Sequence, residues 1–233
     1  MYKNAWETQV FCSGLRSEVD GLDESVAIGV APPAASLWAA VHELGGSRVG
    51  VYAQNVHWAD EGAFTGEISA PMLREIGVAG AIVGHSERRQ HFGETDEGTA
   101  RRAAHALERG LHVVACVGEL ESERDAGETE DVLRRQVTAI RDAVGEEHAG
   151  WLVIAYEPVW AIGTGKTATP GQAQDAHAFI RSLLDVPILY GGSVKPENAA
   201  ELLAQPSIDG ALVGGASLDP DSFAAICRAA STS

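Results

Sequence analysis

Seven short apolar runs punctuate the sequence, and amphipathic stretches of helical period lie between most of them. The runs are residues 26–30, 49–52, 80–83, 113–117, 152–156, 188–190 and 210–213. None shows the in–out alternation of a strand with one wet face, so each reads as a strand buried on both faces. Residues 36–44 carry Leu37, Ala40, Val41 and Leu44 on one stripe. Residues 95–109 carry Ala100, Ala103, Ala104 and Leu107, and residues 132–144 carry Leu133, Val137 and Ile140. Stretches 173–184 and 197–203 complete the interior helices. This alternation predicts an α/β fold: a parallel sheet joined by right-handed helical crossovers. No linker, low-complexity segment or composition shift interrupts it, so residues 1–233 are expected to form a single domain. A helical pattern over 6–19 precedes the first run, and no strand run stands before that helix.

Charge and composition narrow the partners. Seventeen basic against 33 acidic residues leave a net charge of −16, which argues against nucleic acid or an anionic membrane surface. No apolar run approaches the roughly 20 residues that cross a bilayer, and the first residues lack the apolar core of a signal peptide. Cys12, Cys116 and Cys227 are far apart and form no CxxC or Cys/His metal spacing. They are expected to be reduced, buried thiols in a cytoplasmic protein.

Chemistry concentrates where the runs end. The run 152–156 leads into Glu157 and then Pro158-Val159-Trp160-Ala161-Ile162-Gly163-Thr164-Gly165-Lys166-Thr167-Ala168-Thr169-Pro170. A carboxylate just past a strand's carboxyl end sits at the catalytic mouth if the sheet closes into a barrel. Taken alone, Glu157 reads more readily as a strand-end ion pair than as a catalytic group. Pro158 stiffens the exit, whereas Gly163 and Gly165 let a loop tip move. Residues 159–167 therefore read as a lid. Two nucleotide motifs fail there. A P-loop ending in Gly165-Lys166-Thr167 requires glycine at the position of Trp160. Six residues intervene between the strand's end and the G-x-G-x-x-A pattern, which should begin at that end.

The run 80–83 leads into Gly84-His85-Ser86-Glu87-Arg88-Arg89. Ser86 is expected to cap a short helix, whose positive end disfavours protonation of His85. Taken alone, His85 reads rather as a satisfied, partly buried imidazole, and Glu87 as a member of an ion pair. The last two runs end in paired glycines, Gly191-Gly192-Ser193 and Gly214-Gly215. Such pairs let backbone N–H groups converge on an oxyanion, or simply make tight turns.

Together these segments resemble the signature loops of the triosephosphate isomerase family, in its order and spacing, from about Met1 to the C-terminus. Gln54-Asn55-Val56 with Gly62–Ser69 resembles the family's long third loop, and Cys116-Val117-Gly118-Glu119 with Arg124 and Gly127 the stretch after the fifth strand. A synthase or isomerase barrel of aromatic amino-acid biosynthesis would share the glycine pairs but not 85–89 together with 157–167. The resemblance implies an aldose–ketose isomerase of glycolysis and gluconeogenesis, interconverting dihydroxyacetone phosphate and D-glyceraldehyde 3-phosphate. Glu157 is then the base, His85 the neutral electrophile and Glu87 a supporting catalytic group. Phosphate is expected on Gly163, Ser193, Gly214 and Gly215 under a lid of Val159, Trp160, Ala161, Ile162, Thr164, Gly165, Lys166 and Thr167. Phe64, Thr65 and Gly66 are expected in a loop that inserts into a second copy, making at least a homodimer. No metal or other cofactor is required.

The N-terminus departs from the family, which opens with a strand ending in Asn-x-Lys and then usually Met. In one alignment Lys3 is that lysine. In the other Met1 follows it, which places Glu7 and Phe11 where the family's first helix has Glu and an apolar residue. The second fits better. It predicts a (β/α)8 TIM barrel whose first strand is missing, with seven recognisable strands, and raises the alternative of a shortened, poorly active form that still binds phosphate.

Overall fold

The computed structural model describes residues 1–162 and 168–231. In chain order its elements are α1 (Ala5–Val19), β1 (Ile28–Val30), α2 (Leu37–Leu44), β2 (Val49–Ala53), α3 (Ala70–Glu75) and β3 (Gly80–Val83). There follow α4 (Ser86–Phe92), α5 (Asp96–Glu108), β4 (His112–Val117), α6 (Glu121–Asp125), α7 (Thr129–Ala143) and β5 (Leu152–Tyr156). The last are α8 (Pro170–Leu183), β6 (Ile188–Tyr190), α9 (Pro196–Leu203), β7 (Gly210–Ala211) and α10 (Pro220–Ala230). All seven expected strands are present. They form one parallel sheet in sequential order from β1 to β7, the seven-stranded form of a TIM barrel.

The apolar runs become strands because both faces are covered. Outside the sheet, Leu15, Leu73, Leu111, Leu133, Ile140 and Ile180 seal the helix ring. Inside the curl, Ile82, Val114, Cys116 and Ala155 form a second, smaller cluster with Tyr52 and Leu189 packed against it. Tyr52 needs neighbours without side chains: a Cβ on Gly80 would lie 2.5 Å from the Tyr52 ring and from the His112 carbonyl. Glycine at 80 thus sets how tightly the sheet curls around that ring.

Among the described residues β1 and β7 do not pair with each other. Their exposure shows it: Gly29 is exposed and Gly210 and Ala211 are half-buried, whereas every residue of β3 is buried. The helix layer does continue across this slot. Helix α1 packs on both α2 and α10. The Arg16 guanidinium donates to the Glu43 and Gly45 carbonyls at the end of α2, and Arg228 of α10 pairs with Glu18 at 3.3 Å. A capping box starts α1, with the Glu7 N–H on Asn4 Oδ1 (3.0 Å) and the Asn4 N–H on Glu7 Oε2 (2.8 Å). Lys3 stands just before this outer helix and rests on it, its ammonium 5.1 Å from the centre of the Phe11 ring and its carbonyl accepting from Ser36 Oγ. That is the placement the second alignment expects.

One buried histidine ties the fold to pH. His177 of α8 is fully buried; its Nδ1 lies 3.1 Å from the Ser207 carbonyl and its Nε2 has no hydrogen-bond partner. Burial pushes its pKa down to about 4, against the opposing Ser207 bond. The unfolded chain then binds a proton near pH 6.5 that the folded chain refuses until about pH 4. Stability should therefore fall as pH drops through this window, by up to about 3 kcal/mol from this group. Urea midpoints measured across the window should drop steeply in the parent and less steeply in His177→Phe. Parallel profiles would assign the acid sensitivity to other groups.

Candidate active site

The C-terminal ends of β3 and β5 bring His85 and Glu157 together. The N–H of Glu157 donates to the Val117 carbonyl at 2.7 Å, which continues the β4–β5 ladder one residue past the strand. Its side chain is buried. Oε2 accepts from the Ser86 N–H at 2.8 Å and Oε1 lies 3.0 Å from His85 Nε2. The Cys116 thiol lies against the same carboxylate, and burial, followed by the Glu157 charge, pushes that thiol well above its ordinary range. Space for Glu157 comes from glycine: a Cβ on Gly191 would approach Glu157 Cγ to 2.9 Å.

His85, rather than Ser86, is the N-cap of α4. Its Nδ1 accepts from the Glu87 N–H at 3.2 Å, and Ser86 is the first helical residue. The expected cap is corrected by one position because a ring nitrogen takes the place usually held by a hydroxyl. The consequence is a defined tautomer. An accepting Nδ1 leaves the ring proton on Nε2, directed at Glu157. Burial disfavours the imidazolium, but the Glu157 hydrogen bond and charge, with Glu87 adding to them, outweigh it and raise the His85 pKa. Glu87 touches the imidazole through its N–H; its carboxylate is largely exposed and 4.0 Å from Nδ1.

The start of the loop after β5 is anchored by a residue that the sequence reading left without a role. Fully buried Glu119 accepts through one oxygen from Tyr156 Oη (3.1 Å), Trp160 Nε1 (2.8 Å) and Arg124 (3.2 Å). The Arg124 guanidinium also lies 4.5 Å from the Trp160 ring. Val159, Trp160 and Ala161 form a single 3₁₀ turn, closed by the Ile162 N–H on the Val159 carbonyl. Of the other residues assigned to lid and phosphate, Gly163, Thr164, Gly165, Lys166 and Thr167 lie outside the described residues.

The two glycine pairs differ. Gly191 and Gly192 are buried in packing, and a Cβ on Gly192 would run into the Tyr190 phenol. Gly214 and Gly215 are exposed, and a Cβ on either would meet no atom within 4 Å. Gly215 opens a 3₁₀ turn to Leu218, and the Ser217 hydroxyl and N–H both donate to the Gly214 carbonyl. Ser193 is half-buried, and its carbonyl accepts from the Asn198 amide. The second pair therefore borders open space, and the first serves turn and packing.

Residues 61–67 form an exposed loop, closed at its base by the His57 N–H on the Ile68 carbonyl. The Phe64 ring lies 4.2 Å from that of His57, and Thr65 and Gly66 stand at the exposed tip. Below it the buried His57 ring has no hydrogen bond, and the Glu67 carboxylate is 3.4 Å from Nδ1.

Comparison with known proteins agrees with this geometry. The sequence profile of the family described as Triosephosphate isomerase matches residues 1–230. A triosephosphate isomerase of Solibacter usitatus is 51% identical, over 97% of this chain and 94% of its own. Those of Erwinia tasmaniensis (51%) and Vibrio vulnificus (49%) each align over 94% of this chain and 89% of theirs. With a carboxylate and an imidazole paired at the strand ends, and with identity near one half along almost the whole length, the chain belongs to the triosephosphate isomerase family.

Proposed function

We propose that this chain interconverts dihydroxyacetone phosphate and D-glyceraldehyde 3-phosphate through an enediolate. The contact that supports this most directly is that of Glu157 Oε1 with His85 Nε2 at 3.0 Å. In this reading Glu157 removes the carbon-bound proton beside the carbonyl. His85 donates from Nε2 to the carbonyl oxygen, its Nδ1 held as an acceptor by the Glu87 N–H. Glu87 thereby positions the imidazole. Burial of the carboxylate strengthens its interaction with a substrate that displaces water.

Phosphate is assigned to the N–H groups of Gly163, Ser193, Gly214 and Gly215, and the open space over the last two supports this. Its binding energy would close residues 159–167 over the enediolate. Exchange measured by NMR in D2O tests the chemistry. Active protein should move deuterium into the reacting carbon of dihydroxyacetone phosphate as aldehyde forms. Aldehyde that forms without any exchange at any extent of reaction would favour direct hydride transfer between the two carbons over an enediolate. Gly215→Val should raise KM several-fold with little change in kcat, since the added methyls enter the open space and leave Glu157 and His85 alone. An unchanged KM in steady-state assays would move the phosphate elsewhere.

A homodimer built on Phe64, Thr65 and Gly66, and a cytoplasmic setting, belong to the same reading. The exposed loop and the unbonded His57 beneath it support the first. Among the described residues no helix is long and apolar enough to cross a membrane.

A further inference from the structure

A cavity of about 210 Å³ lies on the side of Glu157 where α4, α6 and α7 meet the end of β4. Its lining includes Ser86, Gln90, Val117, Leu120, Val159 and Glu157 itself. His85, Ser193, Gly214 and Gly215 do not line it. An apolar cavity of roughly 150 Å³ takes one benzene ring, so this volume fits a single ring with a short arm.

The charges on its wall choose the arm. Arg89 is the one basic residue in the lining, and it is already committed to the Gly84 carbonyl (2.8 Å), Asp96 (2.6 Å) and the Cys116 carbonyl (3.3 Å). Gln136 closes on Gly118, accepting from its N–H and donating to its carbonyl. Two carboxylates complete the wall: Glu157, bonded as above, and Glu123, whose Oε2 accepts from the Leu120 N–H at 2.7 Å; as acceptors only, both keep lone pairs for a further donor. The exposed Gln90 amide has no hydrogen bond among the described residues. An anion would face both carboxylates, whereas an ammonium would be attracted by them.

We propose that this cavity binds a small aromatic cation. Its ring would rest on Val117, Leu120 and Val159, and its ammonium would lie between the Glu157 and Glu123 carboxylates. Because the cavity excludes His85 and the open glycines, its occupant leaves room for the triose phosphate. It sets a positive charge against the carboxylate assigned as base and holds Val159, where the lid starts. Turnover then falls without competition for substrate. That kinetic consequence rests on Glu157 being the base, but the binding does not.

The test uses benzylammonium and the intact protein. Amide shifts should saturate with a Kd of about 1 mM, strongest at Gln90 and Gly118, with kcat reduced and KM unchanged. Gln90→Trp, which fills the rim, should abolish the saturable shifts while leaving basal kcat intact. Glu123→Gln should weaken binding several-fold, and neutral benzyl alcohol should bind more weakly than the cation. Saturation at these amides without any effect on kcat would uphold the site and count against Glu157 as the base. Shifts that never saturate, persist in Gln90→Trp or accompany a rise in KM alone would overturn the proposal.

Discussion

Glu157→Gln should lose isomerase turnover by about 10²–10⁴-fold while keeping the fold. The amide is close in shape and can still accept from the Ser86 N–H, so the hydrogen bond at 2.8 Å need not break. It cannot take a carbon-bound proton. The variant also has a second readout. His85 is raised above its ordinary range by its contact with Glu157, against the effect of burial. Removing the negative charge should lower the His85 pKa, and ring-proton titration by NMR would show it. Near-parental turnover in a variant whose histidine has shifted would exclude Glu157 as the base. An unshifted histidine would mean that the two side chains do not interact in solution.

The second large effect concerns the slot between β1 and β7. In a closed barrel every strand pairs on both sides, but among the described residues β1 and β7 each pair on one side only, while α1 packs on both α2 and α10. Such edges invite pairing with another chain. Joining a family-like strand ending in Asn-x-Lys directly before Met1 should fill the slot, because α1 already holds the position of the helix that would follow it. Added pairing and core packing should raise Tm by roughly 10 °C for a chain of this size. The resemblance also implies a lysine at the mouth, where phosphate and enediolate charge collect. Restoring such a charge should increase kcat by about 10²–10³-fold. Calorimetry and a steady-state assay on both forms would decide. Equal Tm would mean that the slot is already satisfied, and equal kcat that no further cation is needed.

The strands were legible because burial on both faces leaves an apolar run that little else imitates. The helices were legible in proportion to their length. Helix α6 has five residues and α3 has six, too few for a 3.6-residue period to repeat. Helix α10 did carry a signal: Asp219 caps it, accepting from the Ser222 N–H, and Pro220 stands at its first position. Glu157 and His85 stood out by their places at strand ends, and the family resemblance supplied their roles. Glu119 did not stand out, because its partners Tyr156 and Trp160 stand 37 and 41 positions away and only the fold collects them. The two glycine pairs look alike in sequence. What separates them is whether a neighbour such as Tyr190 fills the space above.

The seat of α1 bears on how the protein is made. This helix comes before every other element in chain order, yet one of its two neighbours is α10, and Arg228 reaches Glu18 across 210 positions. A ribosome adding roughly 5–20 residues per second needs on the order of 10 s or more to synthesise the intervening chain. Throughout that interval the α10 side of α1, whose buried residues include Phe11, Leu15 and Val19, stays uncovered. Of the helices described, the first in chain order is thus among the last to be locked, and its apolar face is one that a nascent-chain chaperone would find uncovered for long.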